Sequence, residues 1–177
     1  MLAFPVKRFG IGALYLLMSA AFCWPLFAKP LGLGNNDWDQ HLFYYSSVLK
    51  NVVEYGQAPF WNPWYCGGDV MWQNPQIALL SPVYPLALLM PIQLAMKINI
   101  VLHYWIGLAG MHVLLTRIIG LKFLPGVVFF ASAFALSGSL ALHLATGHAN
   151  FLWRRSICRS SCFFYAWPSK TARSGTP

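Results

Sequence analysis

Carboxylates are almost missing from this chain. Asp37, Asp39, Glu54 and Asp69 are its only acidic residues among 177, against 12 Lys and Arg. Charged residues of both signs reach 9%, where soluble domains run at about 25%. So few charges cannot cover a water-soluble globule of this size. The class expected is an all-α, multi-pass membrane protein whose partner is the lipid bilayer. Cysteine is scarce too. Cys158 and Cys162 have no second pair to complete a zinc site, Cys66 stands alone, and Cys23 sits in an apolar run as a small hydrophobe. No disulfide framework follows.

What acidity there is lies in one place. All four carboxylates fall between residues 37 and 69, in a stretch that also gathers aromatics, glycine and proline. The net charge of +8 is distributed differently. Residues 1–150 carry seven Lys/Arg against four acids, and residues 151–177 carry five against none. The excess is therefore largely a property of the tail, and five basic residues without a motif give no reason to expect a nucleic-acid partner.

Taken in order, Lys7-Arg8 precede an apolar run of about 20 residues, 9–28, long enough for a ~30 Å hydrocarbon core. The basic pair predicts a cytoplasmic N-terminus. A cleaved signal peptide is the rival reading, but the bulky exit Trp24-Pro25-Leu26-Phe27-Ala28 argues for an uncleaved span. An outer loop, 29–97, follows. In it Asn36 is placed to cap a helix, with Asp37 and Asp39 in the first turn, where carboxylates suit the dipole. Trp38, Leu42, Tyr45, Leu49 and Val52 recur as one apolar stripe, with His41, Ser47, Lys50 and Glu54 off it. That pattern predicts an amphipathic helix lying in the membrane interface.

Residues 57–76 are broken by Pro59, Pro63, Pro75, Gly67 and Gly68, which predicts neither helix nor strand. Trp61-Asn62-Pro63 is faintly echoed by Gln73-Asn74-Pro75. Residues 77–96 carry Pro82, Pro85 and Pro91 and predict a short hairpin rather than a span. Lys97 and Arg117 bound a second apolar run, 98–116, and a third covers 123–144. Within the third, Ala131, Ala135 and Ser139 form a small-residue face. If 77–96 does not cross, Arg117 and Lys122 are cytoplasmic, and His143 and His148 emerge on the outer side with Asp37. If it crosses, they exchange sides. After about residue 152 the pattern fails, so residues 153–177 are expected to be either a frameshifted end or a disordered basic tail.

The strings Asn36-Asp37-Trp38-Asp39-Gln40-His41, Pro59-Phe60-Trp61-Asn62-Pro63-Trp64-Tyr65-Cys66-Gly67-Gly68, Asn74-Pro75-Gln76 and Ser81-Pro82-Val83-Tyr84-Pro85, with Phe134 to Gly138 followed by Gly147-His148-Ala149-Asn150, together resemble a family. Residues 5–152 look like the N-terminal part of GT-C fold membrane glycosyltransferases, closest to the bacterial YfhO-like group. The resemblance implies a partial GT-C fold in the bacterial cytoplasmic membrane. It also implies a polyprenyl-phosphate-linked sugar as donor, used at the outer face. Family members are longer, with more spans, so the resemblance implies a fragment that is inactive alone. In such enzymes an early outer-loop acid is the general base on the acceptor or holds a metal. The matching positions are Asp37 and Asp39.

Glycosyl transfer needs a carboxylate near the acceptor hydroxyl and contacts for the departing phosphate. His41, Asp69, His143 and His148 are the candidate substrate contacts, and a divalent metal on Asp37, Asp39 and His41 is an open alternative. The competing expectation is that both aspartates merely cap a helix, in a non-enzymatic small membrane bundle. His103 and His112, inside the second apolar run, are expected to make interhelical hydrogen bonds.

Overall fold

No proline interrupts the chain from Val6 to Trp24, and the residues from Phe9 onward are apolar almost throughout, so a helix forms there. In the computed structural model α1 spans Ala3–Cys23 and tightens into a 3₁₀ turn, Trp24–Phe27, where Pro25 enters. The model describes residues 3–29, 31–33, 37–74, 76–77, 79 and 81–147, with backbone alone for 3–8 and 140. Asn36, His148 and the tail 153–177 lie outside the described residues.

The described chain is mostly helical. After α1 come α2 (Trp38–Leu49) with a π turn at Lys50–Glu54, α3 (Val83–Ala87), α4 (Ile92–Val113) with a π turn at Leu114–Ile118, α5 (Leu124–Ala135) and α6 (Gly138–Ala145). Two helices are long and apolar enough to cross a membrane, Phe9–Phe27 and Ile92–Ile118. They pack antiparallel, because Tyr15 meets His112 near one end and Lys97 reaches the Lys29 carbonyl at the other. Residues 77–96 supply no crossing of their own. The five residues of α3 extend only about 7.5 Å, and residues 92–96 already belong to α4.

The start of α4 differs from the expected boundary at Lys97. Pro91, with extended backbone (ψ 137°), occupies the cap position and lets the helix begin at Ile92. Lys97 thus falls inside the helix and is 1% exposed. Its ammonium group donates to the Lys29 carbonyl beyond the end of α1 and lies 6.0 Å from the Phe27 ring. A cation at a helix C-terminus meets carbonyls that lack intrahelical partners.

The expected third span is not one helix. Ser137, with extended backbone (ψ 146°), separates α5 from α6, which have 12 and eight residues. Pro125 lies in the first turn of α5, where its missing N–H costs nothing. Ala131 and Ala135 are buried against α1 and α4 with Tyr15, Leu108 and Val127, as a small-residue face allows. Ser139 lies past the break and is exposed. The break carries α6 into a second cluster at the other end of the helix pair. There Leu144 packs with Cys23, Trp38, Tyr45, Ile100 and Tyr104.

The 57–76 stretch is more regular than its prolines suggest. Trp61–Asn62 (β1) pairs antiparallel with Asp69–Val70 (β2), Trp61 opposite Val70 and Asn62 opposite Asp69. Pro59 and Pro63 flank β1 rather than enter it, so no ladder N–H is lost. The two Asn-Pro strings also share one device. Asn62 Oδ1 accepts from Trp64 N (3.1 Å) and Asn74 Oδ1 from Gln76 N (2.9 Å), both Asx turns. Burial of the alanine face generates a first test. Ala131→Leu overpacks the α1–α4–α5 contact and lowers stability by about 1–3 kcal/mol, whereas the exposed Phe130→Leu leaves it nearly unchanged, as read by thermal unfolding of the detergent-purified chain.

Candidate functional site

The acidic turn at the head of α2 is held from beneath. Trp38 is 1% exposed, and its indole N–H donates to the Leu144 carbonyl at 3.0 Å. That carbonyl belongs to the last turn of α6. Gly147 then turns back with φ +87°, and a methyl group built on it would lie 2.8 Å from Trp38 N and 3.1 Å from Asp37 Cβ. Only a residue without Cβ permits that approach, and only glycine takes the φ without strain. The head of α2 is thereby pinned to the end of α6.

The predicted site residues are distributed as follows. Asp37 occupies the cap position of α2, exposed, with its carbonyl accepting the first helical bond from His41 N at 3.1 Å. Asp37 therefore does the capping expected of Asn36, and no hydrogen bond from its side chain caps the helix. Asp39 is exposed two residues further on. Positions two apart on a helix do not face each other, so the two carboxylates point away from a common ligand. His143 lies half-buried in the last turn of α6, one turn before Gly147. Asp37 and the His143–Gly147 segment are thus brought together.

His41 and Asp69 go elsewhere. His41 is 3% exposed and stacks edge-on to Trp38 (centroids 6.2 Å apart), a core position rather than the polar face expected for a substrate contact. The reason is that α2 is covered on two sides. Trp38 and Tyr45 pack into the α1–α4 cluster, while Tyr44 and Val48 pack on Met71 and Ile77 beneath the hairpin. The buried face is therefore wider than the Trp38–Leu42–Tyr45–Leu49–Val52 stripe. It takes in His41, Ser47 and Asn51 and leaves Val52 48% exposed. Asp69 sits in β2 and accepts from Asn74 Nδ2 at 3.2 Å, which ties the hairpin to the following Asx turn. It belongs to the hairpin cluster and not to the Asp37 turn.

No group of three or more His, Cys, Asp or Glu side chains converges to hold a metal among the described residues. Asp37, Asp39 and His41 in particular diverge, two outward and one into the core. Lys50 and Glu54 pair at 3.8 Å on an exposed face, and Lys50 also lies 5.1 Å from the Trp64 ring. An exposed pair of this kind contributes little. Of the two histidines in α4, His112 shares an interhelical 2.8 Å bond with the Tyr15 hydroxyl. His103 instead donates within its own helix, Nδ1 to the Asn99 carbonyl at 2.8 Å.

Several positions that organise this region carried no functional signal in the sequence. Asn51 Nδ2 donates to the Trp61 carbonyl (3.1 Å) and reaches Met71 Sδ (3.4 Å), joining α2 to the hairpin. Gly68, at φ +119°, lies so close to the Trp61 indole that a methyl group there would overlap it at 2.0 Å. Burial pushes the Tyr84 phenol well up, so it stays a donor, and it gives its proton to the Ile77 carbonyl at 2.6 Å. Of these, Gly68 and Tyr84 lay within strings that carry the resemblance, and Asn51 lay in none.

Comparison with known protein families, with curated proteins and with solved structures finds no match. The pinned turn has a direct test. Gly147→Ala destabilises the chain by at least about 1–2 kcal/mol from the left-handed backbone alone, and the contact with Trp38 adds to it. Trp38→Phe keeps an aromatic ring but costs about 1 kcal/mol for the lost hydrogen bond, to which the cavity left by the smaller ring adds. Both are measured as shifts in thermal unfolding. Because the two residues touch, the double variant loses less than the sum of the singles.

Proposed function

We propose that this chain is a multi-pass membrane protein carrying the first outer loop of a GT-C type glycosyltransferase, with Asp37 as the general base of sugar transfer from a polyprenyl-phosphate donor. The membrane half of the reading is supported by where apolar surface lies. Only 17% of the Phe9–Phe27 window is buried by the protein itself, and Phe9 and Leu17 are 80% and 68% exposed. A core helix of a soluble protein would be mostly covered, and bare apolar surface on this scale calls for lipid or a partner.

The observation that carries the catalytic half is the clamp on Asp37. Its backbone is fixed by Gly147 and by the buried Trp38 next to it, while its position stays open to solvent. A carboxylate anchored in that way holds an acceptor hydroxyl in one orientation, which is where positioning lowers a barrier. The acceptor oxygen attacks the anomeric carbon, its proton passes to the Asp37 carboxylate, and the carbon–oxygen bond to the lipid phosphate breaks. His143, on the adjoining turn, serves as a contact for the departing phosphate. Asp39 lacks the clamp and faces away, so Asp37 is the better base.

Two measurements test the reading. Transfer from a polyprenyl-phosphate-linked sugar is assayed in membranes from cells expressing the chain. Asp37→Asn lowers transfer by about 10²-fold or more, the scale of a lost general base, and Asp39→Asn and Asp69→Asn stay within several-fold of the parent. Equal transfer by Asp37→Asn removes the assignment. Orientation is read separately by a membrane-impermeant maleimide on variants in which serine replaces the four native cysteines. Asp39→Cys labels in intact cells and Lys122→Cys only after permeabilisation; the reverse pattern inverts the topology.

A further inference from the structure

At the end of the helix pair remote from Asp37, α1 and α4 part to leave a groove of about 440 Å³. That volume is within the range of small-ligand sites, about 300–1,000 Å³. Its walls include Ile11, Gly12, Tyr15, His112, Thr116 and Arg117. Gly12 leaves one wall open, since a methyl group there would meet nothing within 4 Å. The Gly12 carbonyl is itself occupied by the Trp105 indole N–H at 2.9 Å, so that wall offers a ligand apolar surface only. Polar groups collect on the α4 side, with the Tyr15–His112 bond at 2.8 Å and Thr116 donating back to the His112 carbonyl at 2.8 Å.

Arg117 stands at the mouth on the π turn of α4. There Ile119 N bonds the Leu114 carbonyl at 3.1 Å, five residues back. Such a turn shifts the residues after it round the helix axis, and wide turns of this kind recur at functional sites. Arg117 is exposed, and none of the chain's four carboxylates pairs with it, the ion pair among the described residues being Lys50–Glu54. On the chain adjoining these wall residues, Phe9, Ile118, Ile119 and Phe123 present 54–80% of their surface. An unneutralised cation beside an apolar groove, set in exposed apolar surface, matches a ligand with an anionic head and a hydrocarbon tail.

We propose that this groove binds one anionic phospholipid of the surrounding leaflet, its phosphate on Arg117 and one acyl chain along the Gly12 wall. The inference rests on the membrane reading above but not on the transferase, and it concerns the opposite end of the bundle from Asp37. Lys122 stands in the turn after α4 and lies outside the groove, which makes it the charge control.

The chain, purified whole in mild detergent, is given equimolar phosphatidylglycerol and phosphatidylcholine, and retained lipid is counted by native mass spectrometry. Phosphatidylglycerol is retained in preference. Arg117→Gln cuts that retention about fivefold, the effect of one basic side chain at a lipid surface. Gly12→Leu, whose Cβ meets nothing within 4 Å and whose longer side chain occupies the groove, cuts it comparably, and Lys122→Gln leaves it unchanged. Equal retention of the two lipids, or a preference surviving both groove variants, overturns the proposal. Displacement by millimolar inorganic phosphate overturns it in favour of a free-phosphate site. Carbonate extraction of cell membranes separates the two failures. A chain released to the supernatant sinks the membrane reading, whereas one that stays in the pellet without lipid preference sinks only the groove.

Discussion

The Trp38 indole N–H finds its acceptor 106 residues away, at the Leu144 carbonyl, and the placement of the acidic turn depends on that bond. A buried indole cannot leave its N–H without a partner except at a cost of about 1–3 kcal/mol. The carbonyl it uses is available because α6 is in its last turn there, where carbonyls lack intrahelical donors. The break at Ser137 brings α6 to that place, and the φ of Gly147 lets the chain turn away beside Asp37. A continuous third helix would have carried Leu144 along the α5 axis instead. The interruption that shortens the expected span is thus what presents the acidic turn against Leu144 and Gly147.

The pairing of α1 with α4 rests on polar groups in apolar surroundings. Along its length Tyr15 meets His112, the Trp105 indole donates to the Gly12 carbonyl, and Lys97 donates to the Lys29 carbonyl. Side-chain hydrogen bonds between apolar helices contribute on the order of 1 kcal/mol each. Their greater effect is on register, because each donor has one acceptor within reach. Lys97 illustrates how a charge can be misjudged from its neighbours. It looks like the edge of a span, yet its long stem lets the ammonium group reach the carbonyl ends of α1 from inside α4.

What could be read along the chain followed local rules. The two long apolar runs and the small-residue face at Ala131 and Ala135 depend on neighbours within a few residues, and such patterns survive folding. The buried face of α2 did not follow its stripe, because a helix covered on two sides buries more than its most apolar line. His41 looked like a polar-face residue and lies in the core; Val52 looked like stripe and is exposed beyond the π turn. Likewise the prolines of 57–76 argued against strand, but a two-residue ladder needs only the positions between them.

Composition and periodicity alone determine that this chain is helical, that its carboxylates share one loop, and that two of its runs are long and apolar enough to cross a membrane. Those properties are sums over adjacent residues, and every conformer of the chain carries them. Tertiary structure decided where each of the acids and histidines lies. Asp37 adjoins the His143–Gly147 turn, Asp39 faces away, His41 is enclosed and Asp69 is tied into the hairpin. That choice depends on a hydrogen bond spanning most of the chain and on a glycine's left-handed turn, and neither leaves a local pattern. The Asn35–His41 stretch is conspicuous in the sequence as a cluster of charge, but its one clamped carboxylate is a property of the fold.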